Sequence, residues 1–280
     1  MMKEANLKYP LTYTAQNESH LSLIQEKLNG GAINIEDIDV LKEHGKIDRL
    51  SVSGLDQAKF EYLIHQYGHQ FTQLNLFKNP KINDFTPLES LDKVVSIEMF
   101  WNQKADFLWD LKKNKSLEKI VLSDIKRMHN LDAFTNNQTL KYIEFDMGMT
   151  GTLAIESLKP LASCSSLEYL SFRLNKLIDQ DITPLADIAT LRELDFNVNL
   201  FQTEQVAWLA AHCSDKVYCK LFEGILKWNV TYHGGPEFPP DTLIVGKRKP
   251  ILNGIKDKVK IEKYLTEFRH MVEAYRAEKG

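Results

Sequence analysis

The sequence predicts an α/β solenoid: a curved parallel β-sheet of eight short strands, with a helical N-terminal cap and a C-terminal cap made of a strand and a helix. Three observations predict it. One apolar pattern recurs along most of the chain, other residue columns keep its phase, and both flanks depart from it.

The pattern is apolar-x-x-apolar-x-apolar. It occurs as Ile47/Leu50/Val52, Phe71/Leu74/Leu76, Val94/Ile97/Met99 and Leu117/Ile120/Leu122. It continues as Leu140/Ile143/Phe145, Leu167/Leu170/Phe172 and Leu191/Leu194/Phe196, with a degraded eighth copy at Lys216/Cys219/Leu221. Successive centres stand 23 to 25 residues apart, except for one step of 27 between Ile143 and Leu170. A fixed period of this length marks a repeat in which each coil buries its apolar columns against the next. The central apolar-x-apolar has period two and reads as a strand. Parallel strands lie about 4.7–4.9 Å apart, so eight of them span on the order of 35 Å.

Other columns follow in phase. Five residues after their centres stand Asn79, Asn102, Asn175 and Asn199, where a buried amide can bond the backbone of neighbouring coils. Nine residues before their centres stand Leu88, Leu111, Phe134, Leu161 and Leu185, with Pro87, Pro160 and Pro184 just ahead. Proline presets φ for the start of a short helix or turn on the other side of the coil. These residues resemble the leucine-rich-repeat family, and ITPLADIATLRELDFNVN (182–199) is similar to the bacterial repeat type seen in internalins. The resemblance covers about residues 47–224. It implies the fold and a protein-binding role, but no particular partner, because the family binds unrelated ones. The long step carries MGMTGTLAIESLKP (147–160), where Gly148 and Gly151 predict an irregular loop or bent coil.

Three regions follow: an N-terminal helical cap over 1–46, the solenoid over 47–224 and a C-terminal cap over 225–280. Terminal coils need caps because they have nothing to stack on. Residues 19–28 and 35–44 read as two helices broken by Asn29-Gly30-Gly31, with Ser19 as a start signal. Residues 55–68 read as a further helix ending at Gly68. At the other end 233–241 is turn-rich, 242–249 reads as a strand, and 255–277 reads as a helix with Ile261, Tyr264, Leu265, Phe268, Met271, Val272 and Tyr275 on one stripe. Residues 247–280 carry ten basic against five acidic side chains, a basic amphipathic segment that leaves −8 on the rest of the chain.

Composition narrows the function classes. The chain is 43% apolar and 26% charged, ordinary for a globular protein. A net charge of −3 argues against a general nucleic-acid binder. No apolar stretch approaches the roughly 20 residues of a membrane span, and the first twenty residues hold no signal-peptide core. Three cysteines without paired spacing suit reduced thiols in the cytoplasm. Cys164, Cys213 and Cys219 fall on core columns, which disfavours a thiol enzyme. His65 and His69 stand one helical turn apart with no third ligand evident, and the glycine pairs at 30–31 and 234–235 fit no phosphate loop. No catalytic group, metal site or cofactor is read.

The side chains flanking the buried strand positions project onto the concave face. Phe77 and Phe100, with neighbouring Trp101, form an aromatic group near one edge. Further along, Tyr142 and Tyr169 stand among Glu98, Glu144, Asp146, Glu193 and Asp195, with Arg173 and Lys119 nearby to offset them. Exposed aromatics are enriched at protein interfaces, and an acidic face attracts a basic ligand. The expected function is therefore a non-catalytic, monomeric protein-interaction module whose partner is another protein, a basic one by charge. The alternatives are an immunity or antitoxin-like protein covering a basic toxin, and a regulator of a nucleotide-binding partner.

Overall fold

Eight parallel strands carry the repeat. The computed structural model describes residues 19–25, 27–149, 151–213, 215–228 and 239–279. The strands are β1 (His20–Leu23), β2 (Arg49–Val52), β3 (Gln73–Phe77), β4 (Ser96–Asn102), β5 (Lys119–Ile125), β6 (Tyr142–Asp146), β8 (Tyr169–Arg173) and β10 (Glu193–Phe196), side by side in chain order. Two further short strands, β7 (Ala154–Ile155) and β9 (Lys176–Leu177), pair in parallel as a separate ribbon.

The register is the one the pattern predicts. Leu50, Leu74, Ile97, Ile120, Ile143, Leu170 and Leu194 are directly paired from strand to strand, and none is more than 1% exposed. Two residues on, Phe145, Phe172 and Phe196 stack at 5.6 Å between centroids, and Phe201 closes the stack edge-on at 5.4 Å. The return side of each coil is short and mostly 3-10 helical, as at Thr86–Ser90, Leu111–Lys113, Asp132–Phe134 and Thr183–Leu185, with α3 (Lys159–Ala162) in the long coil. Pro87, Pro160 and Pro184 stand in the first turns, where a missing N–H costs nothing.

The N-terminal region differs from expectation. Residues 19–28 do not form a helix: His20–Leu23 is a strand, with Leu21 opposite Leu50 and Leu23 opposite Val52. Ser19 caps no helix; its carbonyl accepts the N–H groups of Asp48 and Arg49. Leu21 and Leu23 alternate with His20 and Ser22, and the open edge of β2 rewards that period-two pattern with backbone pairing and burial. Residues 1–46 therefore include the first strand of the sheet. The second expected helix is shorter, α1 (Ile35–Ile38) running into a 3-10 turn at Asp39–Glu43. Its Asp39 carboxylate accepts the hydroxyls of Tyr62 at 2.7 Å and Tyr67 at 2.5 Å, both on α2 (Gln57–Tyr67). Lys42 adds an ion pair at 2.6 Å, and these bonds, Lys42 first, hold the Asp39 carboxyl down to about 2. Helix α2 passes at Gly68 into a 3-10 turn (Gly68–Gln70), and glycine fits there for reasons of space, since a Cβ would meet a Leu91 methyl at 2.5 Å.

The degraded eighth copy is not a strand. Only Tyr218 bridges to Glu193, and Lys220–Glu223 turns into a 3-10 helix ending at left-handed Gly224. Tyr218, Lys220 and Phe222 thus do not extend the sheet. The last coil instead holds α4 (Thr203–His212), which packs against α5 (Lys258–Lys279). Between them β11 (Ile225–Lys227), β12 (Thr242–Ile244) and β13 (Ile251–Leu252) form an antiparallel sheet. The strand expected over 242–249 stops early because the chain turns at Gly246, whose hypothetical Cβ would collide with the Thr203 hydroxyl. The expected stripe on α5 is the packing face, with Ile261 and Phe268 buried. Most of the turn-rich segment 233–241 lies outside the described residues.

The asparagine column is confirmed in part. Asn79 donates to Val52 O and accepts from Leu55 N; Asn102 donates to Asn79 O and Ile82 O. Asn175 is exposed but accepts from Leu153 N, in the long coil. Asn199 is exposed, and Asn197 takes the ladder role by accepting from Leu174 N. A second column, six residues before the next centres, holds buried Asn114 and Asn137; Asn114 bonds Leu88 O, Leu91 O and the Trp109 indole.

Candidate functional site on the open face of the sheet

Three rows of side chains stand on the face of the sheet away from the apolar core. The first, one residue before each centre, runs His20, Arg49, Gln73, Ser96, Lys119, Tyr142, Tyr169 and Glu193. The second, one residue after, runs Ser22, Ser51, Asn75, Glu98, Val121, Glu144, Ser171 and Asp195. Past them, Phe77, Phe100, Ser123, Asp146 and Arg173 are paired across β3 to β8.

Two of the three expected aromatics come together. Phe77 and Phe100 stack at 5.2 Å with 18° between planes, and the Lys78 ammonium lies 5.1 Å from the Phe77 ring. Trp101 follows with φ of 62°, a left-handed backbone that costs a bulky residue energy. The position is imposed by the repeat. Four residues after their centres, Gly54, Lys78 and Asp124 are left-handed too, with φ of 78°, 53° and 53°.

The tyrosine group forms. Tyr142 and Tyr169 stack face to face at 4.1 Å and 4°, and the Lys119 ammonium sits 5.3 Å from the Tyr142 ring. The Tyr142 hydroxyl donates to Glu144 at 2.6 Å, and burial, then this bond, push its pKa up. Glu144, Asp146, Tyr169, Ser171, Arg173 and Asp195 line a hollow of about 320 Å³, with Met147 and Gly148 at its rim.

Charge on this face is more compensated than the sequence implies. Lys119 pairs with Glu98 at 2.5 Å, and Arg173 forms an ion pair with Asp195. Asp146 accepts the Ser123 hydroxyl at 2.7 Å and the Gly148 N–H at 2.6 Å. Glu193 is exposed and makes no ion pair among the described residues. Uncompensated negative charge therefore rests on Glu144, Asp146 and Glu193. Burial and then Asp146 raise the pKa of neighbouring Asp124, against which the Gly148 backbone packs.

A second hollow, of about 190 Å³, was not visible in the sequence. It lies at the other end of the same face between His20, Arg49, Gln73, Ser96 and Glu98. The signal for it was the alternation His20-Leu-Ser-Leu, which puts His20 and Ser22 on this face once 20–23 is a strand.

The remaining candidates take structural places. Cys164, Cys213 and Cys219 are buried and no disulfide joins them. Burial pushes the Cys164 and Cys219 thiols up to about 12, so neither supplies a thiolate nucleophile near neutral pH. His65 and His69 are exposed, and among the described residues no three His, Cys, Asp or Glu side chains cluster to hold a metal. No helix among the described residues is long and apolar enough to cross a membrane.

No family model matches the chain, and no curated protein matches it in sequence. Among solved structures it is similar to internalin C2 of Listeria monocytogenes str. 4b F2365, with 21% identity and a TM-score of 0.44 over 67% of this chain and 83% of that one. It is also similar to an internalin (inlF) of the same strain, with 20% identity and a TM-score of 0.45 over 69% of this chain and 58% of that one. The strand register and the buried columns make this chain's fold an α/β leucine-rich-repeat solenoid with a helical C-terminal cap.

Proposed function

We propose that the chain is a non-catalytic protein-interaction module that binds a basic surface of another protein on its concave face. The observation that carries this reading is the half-buried Tyr142–Tyr169 stack beside a hollow lined by Glu144 and Asp146, with Glu193 paired to Tyr169 on the next strand. Stacked tyrosines are rigid and amphipathic, so they gain contact area at small entropy cost and serve as anchors. Surrounding carboxylates raise the encounter rate with a cation-bearing partner. A monomer in the cytoplasm is part of this reading; three buried cysteines without a disulfide suit the reducing compartment.

The experiment is affinity capture with the purified chain, followed by affinity measurement on the captured partner. Glu144→Lys with Glu193→Lys reverses the two charges least tied up in the fold. We expect the variant to melt normally and to bind at least about tenfold more weakly, and wild-type binding to weaken as salt rises. Tyr169→Ala should mainly speed dissociation. A captured partner that binds the reversed protein with unchanged affinity would overturn the reading.

A further inference from the structure

The two hollows differ in chemistry, and the difference specifies an occupant. At the N-terminal end, the Arg49 side chain is 43% exposed and its nearest carboxylate, Asp48, stands 3.9 Å from Nε, outside hydrogen-bond reach. Arg49 Nε is itself buried without a hydrogen-bond partner. Asp48 Oδ2 accepts the Thr72 hydroxyl at 3.1 Å, while its Oδ1, buried without a hydrogen-bond partner, is the oxygen that faces Arg49. Beside Arg49 stand His20, bonded to the Ser51 hydroxyl at 3.1 Å, and the amide of Gln73. The one carboxylate lining this hollow, Glu98, is neutralised by Lys119. This end therefore offers a guanidinium whose ion pair to Asp48 is long and whose terminal nitrogens make no hydrogen bond among the described residues, with the polar side chains of His20, Gln73 and Ser96 beside it. A guanidinium fork fits a carboxylate with two parallel hydrogen bonds. The other end offers Glu144 and Asp146 to a cation.

Resting on the interaction reading above, we propose that the occupant is an extended segment of the partner, laid across the strands, with an acidic residue at Arg49 and a basic residue at Glu144 and Asp146. The spacing follows from the register. Arg49 is on β2 and Glu144 on β6, four strand steps away. Four steps of about 4.8 Å make about 19 Å, and an extended chain advances about 3.3 Å per residue, so the two charges are about six residues apart. The Tyr142–Tyr169 stack falls at the basic end of that path and packs against the stem of the basic side chain.

The test uses fluorescein-labelled peptides in a Ser/Thr/Val background, each with two adjacent Arg residues and one Glu or its Gln replacement. In one peptide Glu and Arg are six residues apart, in a second two apart, and in a third Gln replaces Glu at the six-residue spacing. Fluorescence anisotropy at low ionic strength should show the first binding about fivefold more tightly than the other two, the value of one well-formed exposed ion pair. Arg49→Ala and Arg49→Gln should both remove that preference and leave the Gln peptide unaffected. Glu144→Lys with Glu193→Lys should weaken all three. Equal affinity for the three peptides, or a preference that survives both Arg49 variants, overturns the bipolar occupant. If that equal binding is lost in the Glu144/Glu193 variant, the acidic-face reading stands without it. Absence of binding by every peptide overturns the extended bipolar segment, while affinity capture decides the interaction reading separately.

Discussion

Phe172→Ala and Phe77→Ala make the same chemical change on opposite faces of one sheet, and they should differ several-fold in cost. Phe172 is fully buried on β8 and stacks at 5.6 Å on Phe145 on one side and on Phe196 on the other. Removing a buried phenyl ring costs about 3–5 kcal/mol when the site cannot collapse. Here the ring is held between two others in a continuous stack, so the upper half of that range applies. Phe77 keeps partial exposure and stacks only on Phe100. Its truncation loses one aromatic pair and some half-buried area, about 1–1.5 kcal/mol. In a chain of this size about 1 kcal/mol moves Tm by 2–4 °C, so Phe172→Ala should melt about 8–20 °C lower and Phe77→Ala about 2–6 °C lower. Thermal melts followed by circular dichroism at one scan rate read both. The contrast tests register, because a slip of one residue exchanges the two faces of a strand. Equal shifts, or a larger one for Phe77→Ala, would refute the register.

Further outcomes follow from particular contacts. The Asp39 carboxyl is held near 2 in the folded chain, below its ordinary value, so its stabilising effect is complete above about pH 4 and is lost as pH falls toward 2. The urea midpoints of wild type and Asp39→Asn should therefore differ at pH 5 and converge by about pH 2; a gap that stays constant would defeat the assignment. Deleting 250–280 removes β13 and α5 and uncovers α4, so the truncated chain should aggregate or melt lower. A monomer with an unchanged melt would show that α5 is no cap. Trp101→Gly should be more stable than Trp101→Ala by about 1 kcal/mol, the reverse of the usual order inside regular structure, because φ is 62° there. Equal melts for the pair would show that the left-handed backbone relaxes.

The sequence by itself determined the coil. Seven strand centres, the phenylalanine column, the prolines on the return side and the packing stripe of α5 were legible because burial selects only for apolar character and size, and a period of 23 to 27 residues repeats that selection. Where a segment could bury its apolar residues in either of two ways, the tertiary structure decided. His20–Leu23 is compatible with a helix or a strand, and the unpaired edge of β2 made it a strand, which also placed His20 on the open face beside Arg49. Lys216–Leu221 keeps the repeat spacing yet turns away after one bridge at Tyr218, and the chain closes with Phe268 of α5 against Gly224. The face residues were legible as a set because their row positions follow from the centres. Their charge balance was not. Glu98 and Lys119 are 21 residues apart, and Arg173 and Asp195 are 22 apart. Whether such side chains neutralise one another depends on strand neighbours and rotamers, which leave no mark in the order of letters. The acids that remain uncompensated, and the guanidinium four strand steps from Glu144 and Asp146, exist as a pattern only once the coils are stacked.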